Sequence, residues 1–165
     1  MITWYFAYGS NMNPARMRAR GLDFEQRCAG VLPGFQMRFN KAAAGKSGVA
    51  YANIVYQPQL QVEGVLYKLN DHSAISLMDH YEGSPVRYSR EVFSIGTGRD
   101  FVDAWVYIAN PKMLDEQLLP ERRYLQHLLS AEDLLSEPYY RWLENQPCLE
   151  NDDELCFEKG LRVNA

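Results

Sequence analysis

The chain has 165 residues, of which 47% are hydrophobic and 23% charged, as expected for one globular domain of ordinary size. The net charge is −4, and no basic stripe is interleaved with exposed aromatic residues, which argues against nucleic-acid binding. No apolar stretch is long enough to span a membrane, and the first residues lack the basic start and apolar run of a signal peptide.

The first half of the chain predicts strands around one short helix. Residues 2–8 favour a strand that ends at Gly9, and Asn13 and Pro14 are start signals for a helix that runs to about Gly21. Further strands are predicted over 27–32, 35–39, 49–56 and 61–69, with turns at 45–48 and 57–59.

The second half of the chain predicts helices on either side of a hairpin. A helix opens at Asn70 and closes at Gly83, with one buried stripe at i, i+3, i+4 and i+7 formed by Ala74, Leu77, Met78 and Tyr81. Strands over 87–95 and 101–108 are joined by a glycine-containing turn. Two later helices begin near Pro120 and at Ser136.

This order of elements indicates an α+β domain, most simply a small closed mixed β-barrel of about six strands with helices packed outside. The predicted domain covers residues 1–145. Residues 144–158 carry six acidic groups and no Lys or Arg, so an acidic C-terminal tail is expected over 146–165. Three cysteines without a close pair favour a reducing compartment, and we expect a cytoplasmic protein that binds neither nucleic acid nor membrane.

The segment Tyr8-Gly9-Ser10-Asn11-Met12 is the first candidate for a functional site. A glycine after a strand lets the backbone turn sharply and approach a ligand closely. The next helix directs its free N–H groups to the same place, which makes a donor cradle for a carboxylate or a developing oxyanion. Ser10 and Asn11 could add side-chain hydrogen bonds. The alternative is an ordinary strand-to-helix turn, and Ser10 lacks the Gly-x-Ser-x-Gly context of a nucleophile.

Glu82 is the second candidate, because it lies in the last turn of the helix that begins at Asn70. The helix dipole disfavours a carboxylate at this end by up to about 1 kcal/mol. Tyr81 and Pro85 suggest partial burial, which would raise the pKa of the carboxyl further. A carboxyl of raised pKa can accept a proton and return it near neutral pH. The alternative is an exposed glutamate that is tolerated at small cost.

Other polar residues give weaker signals. The 11 tyrosines could line a cleft, or could simply be spread over core and surface. Arg16 and Arg20 would share a helix face that could meet a phosphate, although a solvated face is the more common outcome. The three histidines show no catalytic or metal-binding spacing.

The two candidate segments together resemble the gamma-glutamylcyclotransferase-like family. The resemblance covers roughly residues 2–145, and its motifs are Phe6-Ala7-Tyr8-Gly9-Ser10-Asn11-Met12, Val62-Glu63-Gly64-Val65-Leu66-Tyr67-Lys68-Leu69, Tyr81-Glu82-Gly83 and Tyr88. It implies a small β-barrel with helices around it. It also implies a reaction in which a gamma-glutamyl amide cyclises to 5-oxoproline and releases the amine.

The resemblance also assigns roles to residues. Glu82 would be the single general acid/base, and Tyr8, Gly9, Ser10, Asn11, Met12, Tyr88 and Tyr124 would bind the substrate. The reaction needs no metal and no cofactor, because the substrate's own α-amine is the nucleophile. The Ser10-Asn11 pair resembles the branch that acts on gamma-glutamyl amino acids or peptides. A homodimer is expected from the resemblance alone.

Two alternative functions share the same parts. One is a related acyl-transfer or deprotection enzyme that removes a gamma-glutamyl group from a pathway intermediate. The other is a binding module that keeps the barrel without turnover and senses small carboxylates.

Overall fold

The computed structural model describes residues 1–150 of the chain. Within this range the strands are β1 (Trp4–Ala7), β2 (Phe24–Ala42), β3 (Ala50–Leu69), β4 (Tyr88–Gly96) and β5 (Phe101–Ala109). The α-helices are α1 (Pro14–Ala19), α2 (Ala74–Glu82), α3 (Arg122–Leu129) and α4 (Glu137–Glu144). Short 3₁₀ helices cover Ser10–Met12, Pro111–Met113 and Glu132–Leu134.

The strands close into a barrel in the order β1-β3-β2-β4-β5, and β5 returns to β1. β1 and β5 run parallel, whereas the other neighbouring strands are antiparallel. Large side chains such as Phe6, Leu66 and Tyr67 fill the core and are fully buried. The prediction of an α+β fold with a closed mixed barrel and outer helices is confirmed. The described barrel has five strands, where the sequence suggested about six.

The difference in strand number arises in one long antiparallel ribbon formed by β2 and β3, where four separate strands were predicted. Pro33 pairs with Gln61 in this ribbon. Two residues further along β2, Phe35 pairs with Tyr56, so several residues of β3 lie opposite a single residue of β2. Proline has no amide hydrogen to give to the ladder and is tolerated at such irregularities. The proline-containing segment 57–59 therefore disrupts pairing locally and does not reverse the chain.

Helix α2 turns a different face to the core from the one predicted. Leu77 and Tyr81 are 41% and 44% exposed, whereas Ile75 and Met78 are buried. The spacing i, i+3, i+7 places Glu82 on the same helix face as Ile75 and Met78. The prediction was right for Ala74 and Met78, which face the core, and wrong for Leu77 and Tyr81, because Ile75 and Glu82 take the inward positions instead. The inner stripe of α2 ends in a carboxylate.

Three of the predicted helix ends agree with the structure, whereas α2 begins at Ala74 and not at Asn70 as predicted. Asn13 caps α1, and its Oδ1 accepts the Ala15 N–H at 2.9 Å. Gly83 ends α2 in the left-handed region, with φ of 66°, where glycine carries no steric penalty. Ser136 caps α4, and its Oγ accepts the Tyr139 N–H at 3.3 Å.

A pair of glycines fixes the position of β1. Gly30 and Gly64 are direct partners across β2 and β3. A Cβ at Gly64 would lie 2.3 Å from the Ala7 carbonyl oxygen and 2.9 Å from the Phe6 ring. A Cβ at Gly30 would lie 3.0 Å from the same ring. The two glycines thus leave the space that lets β1 pass close to β3, and this fixes the start of the loop that follows β1.

The last described residues pair with the start of α3. The Leu149 amide donates to the Pro120 carbonyl at 2.8 Å, and the Leu149 carbonyl accepts the Arg122 N–H at 2.8 Å. The first residues of the predicted acidic tail over 146–165 therefore contact the domain, and residues 151–165 lie outside the described residues. None of the helices within residues 1–150 has the length and apolar character needed to cross a bilayer.

Candidate active site

An inner cavity lies where β1 ends and the 3₁₀ helix Ser10–Met12 begins. Its free volume is about 40 Å³. Gly9 and Glu82 both line it, so the two segments singled out in the sequence face the same space. The cavity is lined by Tyr5, Tyr8, Gly9, Ser10, Asn11, Ala52, Glu82, Tyr88, Tyr107 and Tyr124.

Gly9 is required here by a close approach rather than by an unusual backbone angle. Its φ is −112°, which other residues can adopt. A Cβ at this position would lie 2.9 Å from Tyr124 Oη and 3.4 Å from Ala52 Cβ. The absence of a side chain therefore lets the Tyr124 hydroxyl reach the loop.

The loop after Gly9 presents backbone donors. The first hydrogen bond of the 3₁₀ helix runs from the Met12 amide to the Gly9 carbonyl at 2.9 Å. The amides of Ser10 and Asn11 precede this bond, so they have no acceptor within the helix. Both residues line the inner cavity. The Ser10 amide is directed at the Tyr124 hydroxyl, and the donor cradle for a ligand stays a prediction.

Glu82 reaches the cavity from the end of α2, and its side chain is 18% exposed. Its Oε1 accepts a hydrogen bond from Asn11 Nδ2 at 3.1 Å. The same oxygen lies 3.4 Å from Arg20 Nη1. Tyr81 and Pro85, which the sequence suggested as the source of burial, are themselves exposed. The burial comes instead from the inward direction of this face of α2.

The pKa of Glu82 is raised above its ordinary value because burial penalises the carboxylate. The Arg20 guanidinium, the Asn11 amide, Lys41 and Arg16 all act in the opposite direction and favour the ionised form. The carboxyl is therefore placed between two opposing influences. Such a group can accept a proton and return it during one reaction cycle.

Asn11 is the residue that joins Glu82 to its surroundings. It is 3% exposed, and its Oδ1 accepts from Arg20 Nη1 at 2.8 Å. Its Nδ2 lies within 3.2 Å of Tyr5 Oη, Met78 Sδ and Glu82 Oε1. The amide oxygen thus faces the cation and the amide nitrogen faces the carboxylate. The side chain of Asn11 is committed to the protein, so it positions Glu82 and leaves ligand binding to the backbone.

Five of the ten residues that line the inner cavity are tyrosines, which confirms the interpretation of a tyrosine-lined cleft. Burial is the largest cause that raises the pKa of each phenol above its ordinary value. The phenols are therefore neutral near physiological pH and serve as hydrogen-bonding groups, not as bases. Glu82 is the one carboxyl in the lining, and the tyrosines are Tyr5, Tyr8, Tyr88, Tyr107 and Tyr124.

Two of the three tyrosines predicted to bind substrate are held by one residue of β3, Ala52. Tyr88 Oη donates to the Ala52 carbonyl at 3.0 Å, so its hydrogen is used within the protein. Tyr124 Oη accepts the Ala52 N–H at 3.0 Å, which leaves its own hydrogen for a group in the cavity. The two hydroxyls are therefore not equivalent, because only Tyr124 keeps a free proton to donate.

A second polar network anchors α2 to the barrel beside Glu82. Tyr107 Oη donates to Asp79 Oδ1 at 2.7 Å, and Asp79 Oδ2 lies 2.9 Å from Arg90 Nη1. Tyr8 Oη in turn donates to the Tyr107 carbonyl. These contacts hold Asp79, which lies about one helical turn before Glu82, against β5.

An outer cavity adjoins the inner one and shares Ser10, Glu82, Tyr88 and Tyr124 with it. Its free volume is about 210 Å³. Four basic residues contribute to its wall, and these are Arg16, Arg20, Lys41 and Arg87. Glu82 lies at the junction of the two spaces, where a group leaving the inner cavity would pass into a cationic one.

The predicted site residues divide into three groups. Gly9, Ser10, Tyr88 and Tyr124 line a cavity wall beside Glu82, as does Tyr8. Asn11 also lines the wall, but its side chain is hydrogen-bonded to the protein. Met12 lies outside both linings: its side chain is fully buried, and its carbonyl accepts from Tyr67 Oη at 2.9 Å.

Sequence reasoning missed the basic residues of the outer cavity. Arg16 and Arg20 were weighed as a solvated helix face, yet Arg20 contacts Glu82 and both line the cavity. Their i, i+4 spacing was the available signal. Lys41 had no such signal, because it comes to the site only through strand pairing, whereas Arg87 lies in the turn just after α2, where its amide donates to the Gly83 carbonyl at 2.8 Å.

The family model "Gamma-glutamyl cyclotransferase, AIG2-like" matches residues 5–126. No curated protein sequence matches the chain.

Several solved structures share the fold. A gamma-glutamyl cyclotransferase has a TM-score of 0.74 at 21% identity, with 88% of each chain covered. An uncharacterized human protein, loc79017, has a TM-score of 0.76 at 23% identity, with 89% of each chain covered. YkqA from Bacillus subtilis has a TM-score of 0.74 at 24% identity, over 88% of this chain and 55% of that one.

The family model starts in β1 and ends within α3, so the match spans the whole barrel and every residue of the inner cavity. The chain belongs to the AIG2-like gamma-glutamyl cyclotransferase family.

Proposed function

We propose that this protein cyclises gamma-glutamyl amino acids or peptides to 5-oxoproline and releases the amine. The observation that carries the proposal is the placement of Glu82 opposite the Gly9 loop across one tyrosine-lined cavity. Family membership and the name of one structural neighbour, a gamma-glutamyl cyclotransferase, support the same reaction. A yeast neighbour with a TM-score of 0.61 at 14% identity is described as specific to glutathione, which extends the substrate range among similar folds.

In the proposed reaction, the substrate's α-amine attacks its own γ-carbonyl carbon. A new C–N bond closes a five-membered ring while the Glu82 carboxylate accepts a proton from the amine. The carbonyl electrons move to oxygen, and the Asn11 amide and the Tyr124 hydroxyl, whose residues line the same wall, would stabilise that oxyanion. The original C–N bond then breaks, and protonated Glu82 returns its proton to the departing amine.

In this mechanism the main task of the protein is to position the substrate's amine against its γ-carbonyl carbon. The nucleophile and the electrophile belong to one molecule, so the site must fold the glutamyl chain back on itself. Orientation of this kind can lower the activation free energy by about 7–11 kcal/mol. The rigid tyrosine wall, with its hydroxyls bonded to Ala52 and Tyr107, is suited to this task.

The test is to replace Glu82 by Gln and to measure 5-oxoproline by mass spectrometry with gamma-glutamyl dipeptides, gamma-glutamyl amines and glutathione. Glu82→Gln keeps an acceptor for Asn11 Nδ2 but cannot take up a proton, so we expect a loss of 10²-fold or more, the order of general acid–base catalysis. Glu91→Gln is the matched control, since Glu91 is exposed on β4.

Each other outcome excludes a specific interpretation. Normal turnover by Glu82→Gln would contradict the role of the carboxylate. Binding of gamma-glutamyl compounds by the unmodified protein without turnover would favour the small-carboxylate binding module. Release of free glutamate in place of 5-oxoproline would favour a deprotection enzyme.

A further inference from the structure

Lys41 is a buried cation in the wall of the outer cavity. Its residue is 2% exposed, and its Nζ lies 5.3 Å and 5.2 Å from the ring centroids of Tyr51 and Tyr88. Within residues 1–150, no carboxylate lies within ion-pair distance of this nitrogen. The two rings offset part of the cost of burying the charge. A cation held in this way is ready to receive an anion.

Two more cations of the same cavity have no acidic partner in the described part of the chain. Arg16 lies on the cavity wall, and its Nε is buried without a hydrogen-bond acceptor. Arg87 contributes to the wall from the segment before β4. Arg20 differs, because it is bonded to Glu82 and to Asn11. The outer cavity therefore holds three positive charges that the described protein does not neutralise.

These charges indicate what the cavity accepts. A gamma-glutamyl group brings one α-carboxylate, so at least two of the three cations remain for the rest of the substrate. Arg16, Lys41 and Arg87 belong to α1, to β2 and to the segment before β4. Cations on separate walls match two separated carboxylates better than one compact anion.

We propose that the outer cavity is an anion subsite for the leaving amine, and that this amine is an amino acid with two carboxylates. The substrate class is then a gamma-glutamyl dipeptide whose second residue is glutamate or aspartate. This inference rests on the proposed function, because it assumes that the glutamyl group occupies the inner cavity. The amine would leave into the outer cavity past Glu82, which lies in both linings.

The test compares matched dipeptides that differ only in charge: γ-Glu-Glu with γ-Glu-Gln, and γ-Glu-Asp with γ-Glu-Asn. We expect kcat/KM to be at least about tenfold higher for each acidic member, since a desolvated charge pair is worth 1.5 kcal/mol or more. In Lys41→Met, which keeps the aliphatic stem, the acidic-to-neutral ratio should fall toward one. Lys112→Met is the control, because Lys112 is exposed and belongs to neither cavity lining.

A second pair of variants keeps the inference testable if Lys41→Met fails to fold. Arg87→Gln should also lower the acidic-to-neutral ratio, whereas Arg99→Gln, in the exposed hairpin turn, should leave it unchanged. Equal kcat/KM for acidic and neutral dipeptides would overturn the anion subsite even if 5-oxoproline forms.

Failure of the chemistry is distinguished by measuring binding of the four dipeptides by calorimetry. If no dipeptide yields 5-oxoproline but the acidic ones bind more tightly in a Lys41-dependent way, the proposed reaction fails and the anion subsite stands. If the acidic and neutral dipeptides bind equally, or none binds, the subsite is wrong.

Discussion

Glu82 shows how one side chain combines a local cost with a chemical use. A carboxylate in the last turn of a helix is unfavourable, and here it is also buried. Both effects favour the protonated form of Glu82 over the carboxylate. Arg20 and Asn11 limit this effect because both contact Oε1. The balance between burial and these contacts determines the pH at which the base becomes available.

Arg20 can be tested as a positioning residue through that balance. Arg20 lowers the pKa of Glu82, so Arg20→Met should raise it further. Because the carboxylate is the form that accepts the proton, the ascending limb of kcat/KM against pH should move to higher pH. A merely structural role would lower the plateau and leave the limb in place.

The control for this experiment lies on the same segment. Arg18 is exposed and stacks over Phe24, away from Glu82, so Arg18→Met should leave the pH profile unchanged. If the ascending limb of kcat/KM against pH stays in place in Arg20→Met, Arg20 does not set the pKa of Glu82.

At the scale of an element, α2 shows where sequence reasoning succeeded and where it failed. Its end at Gly83 was predictable, because a glycine after a periodic segment is a common helix stop. Its rotation was not, because Leu77 and Tyr81 fit an apolar stripe as well as Ile75 does. The exposed Tyr81 ring instead packs against the Arg20 guanidinium, 4.9 Å from its centroid.

The rotation of α2 predicts losses of stability of different size at two neighbouring residues. Met78 is fully buried, so Met78→Ala should lower the free energy of unfolding by about 2–5 kcal/mol. Leu77 is 41% exposed, so Leu77→Ala should cost less than about 1 kcal/mol. Urea denaturation of both variants checks this. A cost of similar size for both variants would restore the stripe that the sequence suggested.

Other site residues illustrate why long-range pairing limits prediction from sequence. Gly9 was correctly expected to permit a close approach, but the group that approaches it is Tyr124 from α3. Lys41 comes from the far end of the β2–β3 ribbon. The position of Lys41 depends on the register of that ribbon, and the residues around the lysine in sequence do not predict this register.

At the scale of the whole molecule, barrel closure depends on β1 passing between β3 and β5. The Gly30–Gly64 pair provides the space for Phe6, and the same strand delivers the loop that lines the inner cavity. Closure and the site are therefore linked, because a displaced β1 would carry Tyr8 and Gly9 away from Glu82.

Gly64→Ala tests this link. Its Cβ would meet the Ala7 carbonyl at 2.3 Å, and a backbone atom cannot move aside as a flexible side chain can. We expect a loss of about 3 kcal/mol or more in the free energy of unfolding, together with lost activity. Gly96→Ala is the control, because its Cβ would meet nothing closer than 3.6 Å. Equal stability of the two variants would show that the glycine pair does not set the position of β1.

The measurement that tests the central claim most directly is the yield of 5-oxoproline and free amine from one gamma-glutamyl dipeptide, compared between the unmodified protein and Glu82→Gln at equal substrate occupancy. We predict equimolar products from the unmodified protein, and a rate lower by 10²-fold or more in the variant while the dipeptide still binds. Equal rates in the two proteins would contradict the assignment of Glu82 as the proton-transferring group.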